Sequence, residues 1–98
     1  MAEVNGSYVK VAKFLGEFVW HQHDEEDELF WVIRGSIQIA LRDGVIQLEA
    51  GDMSVVPKGV EHCPSAANEA WVVLLEPKAT KHTGDAKTDR TVDDQDWL

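Results

Sequence analysis

Apolar and polar residues alternate with a period of two along most of this chain, and glycine or proline interrupts the alternation at short intervals. A period of two belongs to a β-strand with one buried face, whereas an amphipathic helix needs a period near 3.6. No stretch has that helical period. The predicted strands are Tyr8–Phe14, Phe18–His23, Leu29–Arg34, Ser36–Arg42, Val45–Glu49, Met53–Val56, Glu61–Ala66 and Trp71–Glu76. Many short strands with frequent turns predict an all-β barrel or sandwich.

Three turn signals separate these strands. The dipeptide Asp43-Gly44 lies between the fourth and fifth predicted strands and predicts a two-residue hairpin. We expect a type I′ turn there, with positive φ at both residues. Gly51-Asp52 and Pro57-Lys58-Gly59 predict two further reversals of the chain.

Length and charge limit the class of protein. The chain has 98 residues, enough for one domain, and its 18 acidic and 9 basic residues give a formal charge of -9. Such a charge disfavours binding to nucleic acid or to an anionic membrane surface. The longest apolar run, Ala70–Leu75, is too short for a membrane helix, and the first residues lack the pattern of a secretory signal. The single cysteine, Cys63, excludes an internal disulfide, and we expect a cytoplasmic protein.

The composition changes after Pro77. Residues 78–98 are rich in Lys, Thr and Asp, and only Trp97-Leu98 at their end is apolar. We therefore predict one β-barrel domain over residues 1–77, with its motif-bearing core at 14–77. Residues 78–98 are either a mobile tail or an extended arm that lies along the barrel or a partner.

Two histidines define the first segment of chemical interest. His21 and His23 project from the same face of the predicted second strand, so two imidazoles at this spacing can share one metal ion. The acidic residues Asp24–Asp27 read as a solvated loop. Glu28 follows them at the head of the next strand, where its carboxylate can supply an oxygen ligand.

A second segment runs from Gly51 to His62. Its Pro57-Lys58-Gly59 turn would bring His62 into a neighbouring strand. Three neutral imidazoles and one carboxylate suit a divalent transition metal, namely iron, manganese, nickel, zinc or copper. A metal that prefers six ligands would keep open positions in such a set, and catalysis needs open positions.

The two segments resemble the paired motifs of the cupin superfamily, over residues 14–77. The first motif has His-x-His, then Glu after four residues and Gly after six more, which matches His21, His23, Glu28 and Gly35. The second matches from Gly51 through His62, and Ala66 stands where the family has asparagine. The resemblance implies a small double-stranded β-helix, or jelly-roll barrel, with His21, His23, Glu28 and His62 as metal ligands.

By this resemblance the chain is a small single-domain cupin similar to mannose-6-phosphate isomerase-like proteins. It implies a metal-dependent enzyme that acts on a small sugar or organic acid, of isomerase or dioxygenase type. The alternative is a non-catalytic module that binds or senses a small molecule such as a sugar. The complete ligand set favours the enzyme, and the catalytic residues are unknown.

Strand alternation suggests which residues surround the site. Phe30 and Val32 share parity with Glu28 and are expected to line the pocket. Arg34 and Gln38 are candidate substrate contacts, although exposure at a strand end explains each equally well. Cys63 follows His62 and is expected to point away from the metal as a packed thiol.

The opposite face of the same strands is also apolar. Leu29, Trp31 and Ile33 have the parity opposite to Glu28, and Trp71, Val73 and Leu75 repeat the pattern on the last strand. A strand that is apolar on both faces is covered on both faces. The cover could be the other sheet, the N-terminal strand or a partner subunit, and we predict a homodimer.

Overall fold

The computed structural model describes residues 1–77, so the predicted arm or tail at 78–98 lies outside the described residues. The strands are β1 (Ala2–Val4), β2 (Ser7–Glu17), β3 (Glu28–Arg34), β4 (Ser36–Leu41), β5 (Gly44–Glu49), β6 (Met53–Val56) and β7 (His62–Pro77). Every pairing between them is antiparallel. Within residues 1–77 no helix is long and apolar enough to span a membrane.

The strand β7 organises the barrel, because it pairs with three other strands. Along its second half it lies between β2 and β3, and its first residues pair with β4. β6 extends the sheet beyond β3, and β5 pairs with β4. The result is an all-β, antiparallel jelly-roll barrel, as predicted.

The predicted strand pattern was wrong in several places. β1 was not predicted, and β2 continues beyond Phe14 to Glu17. The strands expected at Glu61–Ala66 and Trp71–Glu76 are one strand, β7; its exposed residues 67–69 lie in an irregularity opposite Leu15, and pairing continues on both sides of it. The strand expected at Phe18–His23 is irregular and pairs at one isolated bridge, between His21 and His62. The backbone N–H of Phe18 donates to Pro64 O, and His21 pairs with His62. The three-residue step from Phe18 to His21 therefore lies opposite a two-residue step on β7, and this mismatch prevents a regular ladder of hydrogen bonds.

The hairpin between β4 and β5 forms where it was predicted, but its turn differs. Leu41 pairs with Gly44, so the two turn residues are Arg42 and Asp43, and neither has a positive φ. The expected type I′ turn at Asp43-Gly44 is therefore wrong. Positive φ at two consecutive turn residues occurs instead at Asn5 and Gly6, between β1 and β2. Asn-Gly is the strongest sequence signal for such a turn.

Alternating residues of the paired strands build the interior. On β2, β3 and the second half of β7 the even-numbered residues point inward, and on β4 the odd-numbered ones do. The apolar core consists of Ala12, Phe14, Phe18, Phe30, Val32, Ile37, Ile39, Leu48, Val56, Ala66, Ala70, Val72 and Leu74. Phe14 stacks on Phe18 and meets Phe30 edge-on. This apolar floor supports the polar side chains described next.

Candidate metal centre

Four buried side chains converge inside the barrel: His21, His23, Glu28 and His62. One potential ligand atom from each lies within 4.8 Å of the ligand atoms of the other three. They come from the irregular segment after β2, the head of β3 and the head of β7. A set of three imidazoles and one carboxylate could hold a divalent transition metal.

Backbone carbonyls orient two of the imidazoles. Nδ1 of His21 lies 2.8 Å from Val19 O, and Nδ1 of His62 lies 2.9 Å from Val60 O. A proton on each Nδ1 satisfies those contacts, so Nε2 is the nitrogen of each ring that could bind a metal. Within the described residues, Nε2 of His21 is buried without a hydrogen-bond partner, and Nε2 of His23 has a 3.3 Å contact with Glu28 Oε1. A buried nitrogen without a partner, close to an ionised carboxylate, fits a metal ion.

Glu28 is the charged member of the set. Its Oε1 lies 3.3 Å from His23 Nε2 and 3.4 Å from His62 Nε2. Burial by itself would raise the pKa of Glu28, but the hydrogen bonds and charges of the two imidazoles lower it to about 2. The carboxylate is therefore ionised at neutral pH and carries the negative charge that attracts a cation.

The pKa values of His21 and His23 shift in opposite directions. Burial lowers the pKa of His21. Burial opposes the charged form of His23 too, but the hydrogen bond and charge of Glu28 outweigh it and raise that pKa. Because a metal needs neutral imidazoles and Glu28 favours the protonated form of His23, a metal ion and a proton compete for this imidazole.

The acidic loop contributes a fixed support beside the site. Asp27 Oδ1 accepts a hydrogen bond from the backbone N–H of Lys58 at 2.9 Å. The next residue, Gly59, donates its N–H to His23 O at 2.8 Å. These contacts tie the Pro57-Lys58-Gly59 turn to the His23 segment. Asp27 therefore has a structural role, although it was predicted to belong to a solvated loop.

Sequence reasoning missed one buried ionic pair next to the site. Lys10 and Glu76 are 4% and 1% exposed, and the Lys10 ammonium donates to Glu76 Oε1. Burial and the neighbouring charge of Glu28 outweigh the Lys10 contact and raise the pKa of Glu76 to about 7. The sequence did contain a signal for this pair. Lys10 shares the inward-facing parity of Ala12 on β2, and Glu76 shares that of Leu74 on β7.

A narrow, largely apolar cavity of about 20 Å³ adjoins His21 and Glu28. That volume holds roughly one water molecule. The lining residues are Ala12, Phe14, Phe18, His21, Glu28, Phe30, Pro64 and Leu74. A metal ion at the convergence point would therefore have a small, apolar space beside it.

The four predicted pocket residues separate into two groups. Phe30 lines the cavity and meets the His62 ring edge-on at 5.9 Å, and Val32 is fully buried deeper in the core. Arg34 lies outside, because a bulge between Val32 and Arg34 reverses the alternation, and its guanidinium sits over the Trp71 ring. Gln38 is exposed on β4, whose odd-numbered residues face inward.

Cys63 is a buried free thiol, as predicted. Its Sγ donates to Phe18 O at 3.1 Å, and it is not among the four side chains of the cluster. Burial raises its pKa, which keeps it protonated and weakly nucleophilic.

Fold and site together define a small jelly-roll barrel with an inward-facing cluster of three histidines and one glutamate, which is the architecture of the cupin class. Comparison with known proteins agrees: residues 8–78 match the family model described as Cupin domain. The chain belongs to the Cupin domain family.

Solved relatives support this assignment. The chain is 50% identical to a cupin-2 domain containing protein from Shewanella frigidimarina, with a TM-score of 0.77 over 78% of this chain and 74% of that one. It is 31% identical to protein NMB1881 from Neisseria meningitidis, with a TM-score of 0.72 over 78% and 79% of the two chains.

A relative matched by sequence adds to this. The chain is 41% identical to the uncharacterized protein YdbB of Bacillus subtilis over 63 residues. That match covers 63% of this chain and 56% of YdbB, so the chain spans little more than half of that relative.

Proposed function

We propose that the protein is a metal-dependent enzyme that acts on a small sugar or organic acid. The observation that carries the proposal is the convergence of four buried side chains with ligand atoms, among them His21 Nε2, which has no hydrogen-bond partner within residues 1–77. His21, His23, Glu28 and His62 would hold iron, manganese, nickel, zinc or copper. Such a metal supplies Lewis-acid or oxygen-activating chemistry when a coordination position is open.

The cavity supports one reaction type over the other. Six of its eight lining residues are apolar or proline, and none of the eight offers an uncharged hydroxyl or amide group to a sugar. We therefore favour the dioxygenase type, on a small organic acid, over sugar isomerisation. In either reaction Phe14, Phe18 and Phe30 exclude bulk water, and Glu28 keeps its charge beside the reacting group.

Elemental analysis is the first test of the proposal. Untagged protein purified without chelator is expected to carry near-stoichiometric transition metal, and the His21→Ala/His62→Ala variant is expected to lose it. His82→Ala, the histidine outside both motifs, serves as the matched control and should keep the metal. Full metal content in the double variant would contradict the proposed ligand set.

Turnover needs a separate assay. Protein reconstituted with iron(II) should consume oxygen with some member of a panel of small organic acids, whereas the double variant should not. A parallel panel of sugars and sugar phosphates, followed by NMR, tests isomerisation. Oxygen uptake without isomerisation supports the dioxygenase type, and the reverse result would contradict it.

A second candidate is a non-catalytic module that binds or senses a small molecule. The observation in its favour is that His21 and Glu28, the titratable side chains that line the cavity, are both proposed metal ligands, so no separate acid or base lines it within residues 1–77. A metal-loaded protein that binds panel members in calorimetry but converts none of them would favour this candidate.

We also propose a homodimer. The outer apolar face, defined as Leu29, Trp31, Ile33, Met53, Val55, Val73 and Leu75, lies on the side of β3, β6 and β7 opposite the metal centre. Trp31, Met53 and Val55 on it are 39%, 61% and 51% exposed. None of its members is charged, although the chain carries a net charge of -9. A second copy fits such a face, because like-charged chains can meet there without bringing charges together.

A cytoplasmic location is part of the same proposal. The free thiol of Cys63 is buried and unpaired with another cysteine, as a reducing compartment permits. Fractionation of the native host, with the protein detected by antibody, tests the location.

A further inference from the structure

The segment that carries two of the proposed metal ligands, residues 18–23, has little regular backbone pairing. The ladder between β2 and β7 ends at Glu17. Beyond it, within the residues that the structure describes, His21 pairs with His62 at one isolated bridge. A short pairing of this kind opens locally at a lower free energy than a continuous ladder does. Side-chain contacts that hold the segment against β7 therefore matter for the position of His21.

Arg42 makes such a contact from the opposite side of β7. It follows Leu41, the last residue of β4, and Leu41 pairs with His62 on the side away from His21. The Arg42 guanidinium lies 3.8 Å from the centroid of the Trp20 ring. Trp20 directly precedes His21 in the sequence and is exposed, whereas His21 is buried. The side chain of Arg42 thus reaches over the head of β7 on the outside of the barrel and contacts the ligand segment.

A second contact joins Arg42 to the residue before the other histidine of the bridge. Its Nη2 donates to Glu61 Oε2 at 3.2 Å, and its Nε donates to Glu61 Oε1 at 3.4 Å. Glu61 directly precedes His62 in the sequence. Trp20, Arg42 and Glu61, which we call the Arg42 cluster, therefore connect the exposed neighbours of His21 and His62 behind the bridge that brings these two ligands together.

The contacts of the Arg42 cluster are modest in strength. An exposed ion pair adds little to the stability of a whole protein, and a guanidinium stacked on an exposed tryptophan adds a limited amount. Local opening of a single bridge breaks far fewer contacts than unfolding of the barrel, so the same interaction has a larger relative effect on it. The cluster is therefore expected to act on the bridge more than on the global free energy of unfolding.

We propose that Arg42 is a positioning residue for the metal centre. It stacks on Trp20 and pairs with Glu61, and so keeps the His21–His62 bridge closed, with the two rings 4.3 Å apart between centroids. A ligand set in which His21 is held in place binds metal more tightly, because the binding-competent conformation is more highly populated. The inference rests on the proposed metal-binding function. It gives Arg42 no contact with the metal or with substrate.

Two substitutions remove the stacking contact, one from each side. Arg42→Met keeps most of the length of the side chain but removes its charge and its planar group, and Trp20→Leu removes the ring. Each should speed amide exchange of His21 and raise the Kd for Co²⁺, in both cases by roughly 2–5-fold. Trp20→Phe keeps an aromatic face for the guanidinium and should keep both values close to those of the wild type.

Arg34→Met is the matched control. The Arg34 guanidinium also lies over a tryptophan ring, 5.5 Å from the centroid of Trp71. Arg34 is at the opposite end of β3 from Glu28. The control loses the same chemical groups from the surface, and it should leave the exchange of the His21 amide and the Kd for Co²⁺ unchanged.

The first measurement is hydrogen exchange of metal-free, full-length protein, followed by NMR. The His21 N–H donates to His62 O, so its exchange rate measures opening of the bridge. The second measurement is a Co²⁺ titration of chelator-stripped protein, with competition for the Kd and visible absorption for the ligand geometry. Arg42→Met and Trp20→Leu should shift the Co²⁺ absorption bands, and thermal unfolding should show that both variants fold.

The outcomes distinguish this inference from the proposed function. Unchanged exchange of the His21 amide in both variants would overturn the role of the Arg42 cluster. Faster exchange with an unchanged Kd and unchanged bands, in a protein that binds Co²⁺, would overturn the positioning of the metal centre alone. An equal loss of affinity in Arg34→Met would show an effect of surface charge and would overturn it too. A wild-type protein that binds no Co²⁺ would overturn the proposed function and the positioning role together.

Discussion

His21 and His62 face each other across a single antiparallel bridge, each donating its backbone N–H to the carbonyl of the other at 3.0 and 2.9 Å. Their rings lie 4.3 Å apart between centroids. The backbone therefore brings the first motif to the second, and the ligand geometry does not depend on a metal to join them. Because the backbone already holds these two histidines together, less conformational entropy is lost when a metal binds.

The metal-free protein should lose stability as the pH rises from about 5 to about 8. The pKa of Glu76 is raised from 4.5 to about 7, so the folded state binds more protons than the unfolded state across that interval. The raised pKa of His23 acts in the same direction above 6.5, whereas the lowered pKa of His21 opposes the decline below 6.5 and offsets part of it. The stabilising contribution of Glu28, whose pKa is lowered to about 2, is already complete above 4.5 and is lost only in more acidic solution. Urea unfolding midpoints in excess chelator measure this dependence.

Two comparisons test that explanation. Saturating Zn²⁺ should remove most of the decline, because the cation offsets the buried carboxylates and favours neutral imidazoles. Glu76→Gln should flatten the metal-free profile, because it removes the largest titrating contribution. A metal-free wild type whose stability increases between about pH 5 and about pH 7 would contradict the assignment.

Gly35→Ala should destabilise the protein by about 1–3 kcal/mol or more. Gly35 has a φ of +81°, and an added Cβ would lie 3.0 Å from Glu69 O and 3.1 Å from Ala70 Cα. Strain and a backbone clash therefore act together. Gly44→Ala is the matched control, since a Cβ there meets nothing within 4 Å. Equal unfolding midpoints for the two variants would show that the close approach of Gly35 to β7 does not limit stability.

Asp27→Ala should destabilise the protein by about 1 kcal/mol through loss of its hydrogen bond to the Lys58 N–H. Metal affinity should also decline, because the same turn holds the His23 backbone through Gly59. Glu25→Ala removes an exposed carboxylate from the same loop and should change the unfolding free energy by less than about 0.5 kcal/mol. Chemical denaturation of the three proteins checks the difference, and matching losses in both variants would count against a specific role for Asp27.

Trp31→Glu should convert the proposed dimer to a monomer. Trp31 pairs with Met53 on β6 and Val73 on β7, so the new charge would lie near the middle of the outer apolar face. Val45→Glu, on β5 and 62% exposed, introduces the same charge away from that face and should leave the dimer intact. Light scattering coupled to size exclusion gives the mass of each. A wild type that is monomeric at all concentrations, or a dimeric Trp31→Glu, would contradict the interface.

Much of the fold could be predicted from local patterns. The period-two alternation predicted an all-β barrel or sandwich, and the resemblance to the cupin superfamily implied the jelly-roll barrel. The boundaries of β3, β4, β5 and β6 lie within one residue of the prediction. The spacing of His21, His23, Glu28 and His62 predicted the cluster that the fold brings together. These features depend on side-chain parity and turn residues, which act over a few neighbouring positions.

Pairing between distant strands determined the rest. The sequence at residues 67–69 predicts a break between two strands, but pairing on both sides of it keeps β7 continuous. The bulge after Val32 places Arg34 on the outside, and parity alone cannot reveal a bulge because it arises from the register of the neighbouring strand. Lys10 and Glu76 are 66 residues apart in sequence. The sequence by itself therefore determined most of the strands, the all-β class and the four residues that cluster inside the barrel. Only the tertiary structure decided which inward positions meet, because cross-strand register lies beyond the range of any local pattern.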